Sequence, residues 1–235
     1  MPFERLGIVV ALDAEARTLR KQTMPHGTLI TLHAQGCMVV SGMGACRAEE
    51  AAQVLIDAGV QGLVSWGTAG GLQASRQAGD LLLPDEVFWL GRAWAVDAGW
   101  RDQLRQGLPE AVGQGGLCSV NQPCTSVADK AALLDEYPSA QAVDMESGAI
   151  AVKAQQAGIP FVVVRSVVDP ATQSLPISAT RTVDPYGRPQ MGRLLRTLLR
   201  HPADIRELLQ LGTQMSRALR SLRAAGPVLL PEVRV

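Results

Sequence analysis

The sequence predicts one α/β domain built on a central mixed, largely parallel β-sheet flanked by helices. Short apolar runs alternate along the chain with segments whose apolar residues recur at helical spacing, the pattern of strands separated by helices. The run Pro160–Val168 is continuously apolar and rich in β-branched residues before Arg165, as a strand buried on both faces should be. The 235 residues are 47% hydrophobic and 19% charged, enough apolar material for one sizeable core.

Leu6–Leu12 reads as the first strand, and Ala14 and Leu19 with charges between them as the start of a helix. Met38–Val40 is a second strand and Cys46–Ala58 a helix. Gly62–Trp66 is a third strand, ending in Gly67-Thr-Ala-Gly-Gly71, which reads as a tight glycine turn. Leu81–Leu83 and Leu117–Val120 are further strands, Met145–Ala157 an alanine-rich helix, and Pro160–Val168 the last strand. Residues 171–190 are proline-containing and aperiodic and read as a connector. Residues 191–223 then form a C-terminal helical pair broken near His201-Pro202, with Leu194, Leu195, Leu198, Leu199, Leu208 and Leu209 on apolar faces. Residues 1–235 make a single domain.

Composition excludes several classes. The chain carries 22 basic and 22 acidic residues, without the basic excess of a nucleic-acid binder. The balance hides an acidic body, with 12 basic and 18 acidic residues over 1–180, and an arginine-rich tail with 10 and 4. No apolar run approaches the roughly 18 residues of a membrane span. The N-terminal stretch is too acidic, and its apolar run too short, for a signal peptide. Cys37, Cys46, Cys118 and Cys124 form no CxxC pair, so a reduced, cytoplasmic protein is expected. His26, His33 and His201 lie far from any strand end with a glycine turn, and there is no GxSxG elbow. A histidine-based hydrolase triad or zinc site is therefore unsupported, and neither metal nor cofactor is expected.

What the strand ends do carry is carboxylates, and ligands of α/β sheets bind outside those ends. The first strand exits into Asp13-Ala-Glu15, the third into the glycine turn, Ala142-Val143 into Asp144-Met-Glu146, and the last into Asp169-Pro170. Each has an ordinary reading: Asp13 and Asp144 as helix caps with Glu15 and Glu146 in the first turns, the glycines as a turn, Asp169 as a turn residue. Together they would converge on one cleft. Cleavage of a ribosyl–base bond suits such a set. One carboxyl protonates the leaving base, another activates water, and a third holds the ribose hydroxyls as an oxocarbenium-like sugar forms.

Five segments resemble the nucleoside phosphorylase superfamily in content, order and separation, over roughly residues 5–170. They are Gly7-Ile-Val-Val-Ala-Leu-Asp-Ala-Glu15, Ser65-Trp-Gly-Thr-Ala-Gly-Gly-Leu72, Gly79-Asp-Leu-Leu-Leu-Pro-Asp-Glu86, Val143-Asp-Met-Glu-Ser147 and Pro160-Phe-Val-Val-Val-Arg-Ser-Val-Val-Asp169. The first segment and the Asp-Met-Glu motif are most similar to 5′-methylthioadenosine/S-adenosylhomocysteine nucleosidases. Asp169-Pro170, the proline-containing stretch and the arginine- and leucine-rich tail resemble the hopanoid-associated phosphorylase branch, which is tied to adenine removal from adenosylhopane.

The resemblance implies a nucleoside phosphorylase-like fold and roles for particular residues. Glu15 falls at the water-positioning glutamate, and Asp169 at the aspartate that protonates purine N7. Glu146 falls at the glutamate that binds the ribose hydroxyls, with Met145 under the sugar. Thr68 replaces the serine of the family's Gly-Ser-Ala-Gly-Gly and keeps its hydroxyl, beside Gly70. In the base pocket Pro123 stands where the family has an aromatic, followed by Cys124.

Phosphorylases of this superfamily carry an arginine shortly before the glycine turn; this chain has Val64-Ser65-Trp66 there. Gly42-Met-Gly44 with Arg47 could hold an anion at a helix N-terminus or be an ordinary cap. Water is therefore favoured over phosphate as the nucleophile, with phosphorolysis, a methylthioadenosine nucleosidase and a non-catalytic nucleoside-binding module as alternatives. The expected substrate is a small-molecule or lipid-linked adenosine nucleoside, with the three tryptophans of Val87–Trp100 forming a wall for a large apolar 5′ group. A homodimer packed through Phe88-Trp89-Leu90 and Trp94, and peripheral contact with the inner membrane surface through the C-terminal helices, complete the expectation.

Overall fold

The computed structural model describes residues 4–22, 25–33, 36–108, 113–176, 182–188, 190, 193, 196–197 and 204–230. In chain order the elements are β1 (Leu6–Val10), α1 (Asp13–Leu19), β2 (Ile30–His33), β3 (Gly36–Val40), α2 (Ala45–Asp57), β4 (Gly62–Gly71), β5 (Leu81–Leu82), β6 (Glu86–Trp89), β7 (Arg92–Ala95) and α3 (Ala98–Gln106). There follow β8 (Gly116–Ser119), α4 (Val127–Glu136), β9 (Ala140–Asp144), α5 (Ser147–Ala157), β10 (Phe161–Val167) and α6 (Asp204–Leu229). The strands join in the order β2-β3-β1-β4-β9-β8-β6-β7, with β10 pairing β4 and β5. The β1–β3, β1–β4, β4–β10, β6–β8 and β8–β9 pairs are parallel; the others are antiparallel. The mixed α/β architecture predicted from the alternation is the one observed.

Strand periodicity sorts the core into two layers. Ile8, Val10, Val64, Trp66, Val162 and Val164 face α1, α3 and α6, where Leu19, Trp100, Leu104, Leu222 and Leu229 complete the packing. Val9, Val39, Leu63, Phe161 and Val163 face α2 and α5, meeting Leu55, Ile150 and Ala154. β10 is buried along its whole length, as its unbroken apolar run requires, and Arg165 is buried within it.

Three differences from the sequence expectation bear on the site. First, Gly67–Gly71 is not a turn. β4 runs through it for ten residues, pairing β1 and β10 and then, through Gly70 and Gly71, β9. Second, β2, β6, β7, α3 and α4 are additional elements, while β9 supplies the strand end expected at Ala142-Val143. They are short or weakly periodic, and α4 announces itself mainly through its Ser126/Asp129 cap, in which each side chain accepts from the other residue's backbone N–H. Third, the tail helix α6 extends to Leu229, past the expected end at 223. Its second half packs on the body through Ala218, Leu222, Ala225 and Leu229, while Ile205 and Leu209 are exposed. The break at His201-Pro202, and Leu194, Leu195, Leu198 and Leu199, lie outside the described residues.

The tryptophan segment is also placed differently from expectation. Trp100 is in the core, Trp89 packs against Gly148, where a Cβ would come within 2.3 Å of its ring, and Phe88 stacks on Tyr137 at 4.6 Å. These aromatic side chains find partners within the monomer; Leu90 is 73% exposed.

Candidate active site

One cavity of about 480 Å³ opens at the ends of β1, β9 and β10 and beside the C-terminal part of β4. Glu15, Thr68, Gly70, Pro123, Met145, Glu146 and Asp169 all line it. Cys124 does not. It packs beside Leu72, Cys118 and Val143, and burial pushes its thiol up to about 11. The tryptophans of 87–100 are likewise absent from the wall. Their expected place is taken by Leu208, Leu211, Gly212 and Met215 of α6, with Leu175 and Val183 from the connector.

Glu15 lies in the first turn of α1 and is 2% exposed. Its Oε1 accepts from both the backbone N–H and the hydroxyl of Thr68, each at 2.8 Å, and its Oε2 from Leu12 N–H at 3.0 Å. Three donors fix its orientation. Thr18 anchors the helix behind it, donating to the Glu15 carbonyl and accepting from the Trp66 indole N–H. The Thr68 N–H thus serves Glu15, so the glycine-rich segment is not an open backbone cradle at that point.

The glycines of β4 have a different purpose. A Cβ on Gly67 would lie 2.4 Å from Arg165 Nη1 and 2.8 Å from Glu15 Cδ; one on Gly70 would lie 3.2 Å from Asp169 Oδ2. The missing side chains let two carboxylates and a guanidinium close onto the strand.

Glu146 follows β9. Its Oε1 accepts from Gly44 N–H at 2.8 Å, and its Oε2 is 3.8 Å from Arg165 Nη2. Burial, and then the charge of Asp144, push its carboxyl up to about 7 against the pull of Arg165. Gly44 begins α2 with φ +99°, a conformation that favours glycine. Its N–H therefore serves a protein carboxylate, while Arg47 is exposed and donates to the Met43 carbonyl at 3.3 Å.

Asp144 does more than cap α5. It accepts from Ser147 N–H and hydroxyl and forms a buried ion pair with Arg165 at 2.6 Å. Arg165 also donates to Ser65 at 2.8 Å. Sequence reading missed Arg165 as part of the site because it is one polar residue in an apolar strand. That lone charge was nevertheless the available signal, since a buried guanidinium requires partners.

Asp169, 5% exposed, lies just past the end of β10. Burial pushes its carboxyl above the usual carboxylate range, and the Lys130 ammonium, 2.5 Å from Oδ2, opposes that push. Lys130 was also missed, being the buried residue of a helix that the periodicity did not disclose.

A family model described as the Phosphorylase superfamily matches residues 1–200. A 5′-methylthioadenosine/S-adenosylhomocysteine nucleosidase of Listeria welshimeri is 26% identical over 211 residues, covering 74% of this chain and 89% of its own. The crystal structure of the nucleosidase of that name from Neisseria meningitidis, in complex with methylthio-immucillin-A, superposes with a TM-score of 0.72 at 19% identity, covering 96% of this chain and 98% of that one. The corresponding structure from Colwellia psychrerythraea, in complex with adenine, gives 0.71 at 22% identity and covers 96% of each chain.

Proposed function

The chain belongs to the phosphorylase superfamily, and from that premise we propose that it is an N-glycosyl hydrolase releasing adenine from a 5′-substituted adenosine. The observation that carries the reading is the convergence of Glu15, Glu146 and Asp169 on one cavity. Adenine presents N7 as an acceptor. A protonated Asp169 donates to N7 while the C1′–N9 bond breaks and its electron pair passes to the base. Water attacks C1′ and gives a proton to Glu15. The products are adenine and the 5-substituted ribose. Glu146 binds the ribose hydroxyls, and Met145 lies beneath the sugar.

Electrostatics support this division of labour. Glu15, Asp144 and Glu146 surround the Arg165 guanidinium, and a surplus of negative charge stabilises an oxocarbenium-like ribose. The engagement of Gly44 N–H by Glu146, and the absence of an arginine at Val64–Trp66, support water rather than phosphate as nucleophile.

The apolar wall from α6 and the connector favours a large apolar 5′ group, and with the tail's resemblance to the hopanoid-associated branch the reading becomes adenosylhopane. The relatives named above favour a second reading, methylthioadenosine. The test measures adenine release from adenosylhopane in detergent and from methylthioadenosine, each with and without phosphate. A tenfold or greater advantage in kcat/KM for methylthioadenosine overturns the lipid reading. Phosphate-dependent turnover to ribose-1-phosphate overturns hydrolysis.

No helix of the described residues is long and apolar enough to cross a membrane. The exposed Ile205 and Leu209, beside Arg206 on α6 at the cavity's wall, support a cytoplasmic enzyme in peripheral contact with the inner membrane surface. Co-sedimentation with anionic vesicles checks this. The exposed Leu90 supports a homodimer, which analytical ultracentrifugation checks.

A further inference from the structure

Lys130 is the buried side chain of α4, 1% exposed. Its ammonium has three N–H donors, and the structure supplies three acceptors: Asp169 Oδ2 at 2.5 Å, the Pro170 carbonyl at 2.8 Å and the Gln173 carbonyl at 2.9 Å. Burying an ammonium is costly unless it is paired, and an apolar residue would fill the same volume without that cost. The pairing is directed. Two bonds hold the backbone that leaves β10, and the third takes Oδ2 of Asp169, leaving Oδ1 without a bond to Lys130.

We propose that Lys130 is a positioning residue that sets the acid strength of Asp169, stabilising the carboxylate that forms as the proton leaves Oδ1 for the base. The inference rests on the reading of Asp169 as the acid. Lys130 itself stays protonated throughout. One proton passes from Asp169 to N7, one passes from the attacking water to Glu15, and solvent restores both carboxyls after product release. The Lys130–Asp169 attraction grows as Asp169 ionises, so it favours the transition state over the bound substrate. The same attraction lowers the fraction of Asp169 protonated at a given pH, which burial of the carboxyl counteracts. The other groups around Asp169 do not duplicate this effect. Glu15 and Glu146 line the same cavity but are acids and supply no cation, Cys124 is a neutral thiol, and Asp129 is held at the Ser126 cap. β4 offers Gly70 and Gly71 there, and α6 offers Gln214 through Gln173.

The test is the pH profile of kcat/KM for adenine release in the full-length protein and its Lys130→Met, Lys130→Gln, Lys130→Arg and Asp169→Asn variants. Activity needs Asp169 protonated, so it falls as pH rises through the carboxyl's pKa. Removing the ammonium raises that pKa. In Lys130→Met and Lys130→Gln the alkaline limb should move up by about one to three pH units. The maximal rate should fall about tenfold because the acid is weaker. Lys130→Arg should keep the limb near its wild-type position. Glutamine can still hydrogen-bond the loop, so it separates charge from anchoring and serves as the reading should Lys130→Met not fold. An unmoved alkaline limb in either folded neutral variant, or wild-type behaviour of Lys130→Gln, overturns the proposal and leaves Lys130 as a loop anchor. Asp169→Asn separates the two levels: if it keeps more than about a tenth of wild-type kcat, Asp169 is not the acid and the underlying reading fails.

Discussion

Replacing Gly212 with leucine should raise stability and, at the same time, exclude bulky 5′ substituents. Gly212 lies inside α6 on the cavity wall, and a Cβ built there meets no atom within 4 Å. Glycine at a helix interior costs about 0.8–1.0 kcal/mol relative to alanine, and leucine is nearly as good a helix former as alanine. Nothing at the position demands glycine for packing, so the substitution should stabilise the fold by about that amount, raising Tm by about 2–4 °C for a domain of this size. Gly212 lines the 480 Å³ cavity beside Leu208, Leu211 and Met215, and the open space around its Cβ position gives a leucine room to reach into it. If it displaces roughly 100 Å² of apolar substrate contact, the loss is about 2.5 kcal/mol, or about seventyfold in kcat/KM. Methylthioadenosine, whose 5′ group is small, should lose less than about threefold by the same bookkeeping. The assay pairs thermal unfolding with adenine release from a series of 5′-alkyl adenosines of increasing length. Equal losses for short and long members, or no loss for either, would refute the assignment of the α6 wall to the 5′ group. A fall in Tm would refute the claim that the position is open.

Glu15→Gln should lower kcat about 10²–10⁴-fold while leaving adenine binding intact by calorimetry, because the amide oxygen can keep the two Thr68 donors, losing only the Leu12 N–H, but the amide cannot accept a proton from water. Arg165→Met should destabilise the fold by about 3–5 kcal/mol in urea unfolding, since it strands Asp144 and Glu146 as buried charges; near-neutral stability would contradict the pairing. Glu146 gives a pH effect of defined sign. Its folded pKa is raised to about 7, so between there and its ordinary range the native state binds more protons than the unfolded chain, and this contribution makes stability rise as pH falls. Glu146→Gln should flatten that rise in Tm between about pH 7 and 4.5, a window set by the same shift.

The positions of the carboxylates were legible in the sequence because strand ends are marked by abrupt changes from apolar to acidic residues. Glu15, Glu146 and Asp169 each follow such a change, and the fold carries all three to one cavity. What surrounds them was less legible. The glycines at 67–71 read as a turn because a glycine cluster most often is one; only the packing of Arg165 and Glu15 against Gly67 explains why a strand should lack side chains there. The tryptophans suggest an apolar wall because they are the largest apolar residues near a motif, but large aromatics near a strand also serve the core, as Trp100 does. The wall came from α6 instead, a contact between the two ends of the domain that no local pattern encodes. Lys130 carried no local signal at all, since a single lysine on a short helix is ordinarily solvated.

The cations explain how so many carboxylates coexist in one cavity. Asp144 is tied to Arg165 at 2.6 Å and Asp169 to Lys130 at 2.5 Å, with the guanidinium packed on Gly67 and the Asp169 carboxyl on Gly70 of β4. Arg165 cannot lose its proton, so its side of the cavity holds a fixed positive charge among three carboxylates. That is the side on which the proposed mechanism places the ribose, where negative charge is needed and no proton need be delivered. Lys130 offers one ammonium to one carboxyl whose burial favours the neutral form. A carboxyl balanced in this way can alternate between acid and carboxylate, which is what the leaving base requires. Exchanging the two pairs would leave the sugar without its carboxylate surplus and the base facing a carboxylate held permanently ionised, so on the proposed mechanism the two cations are not interchangeable even though both neutralise an aspartate.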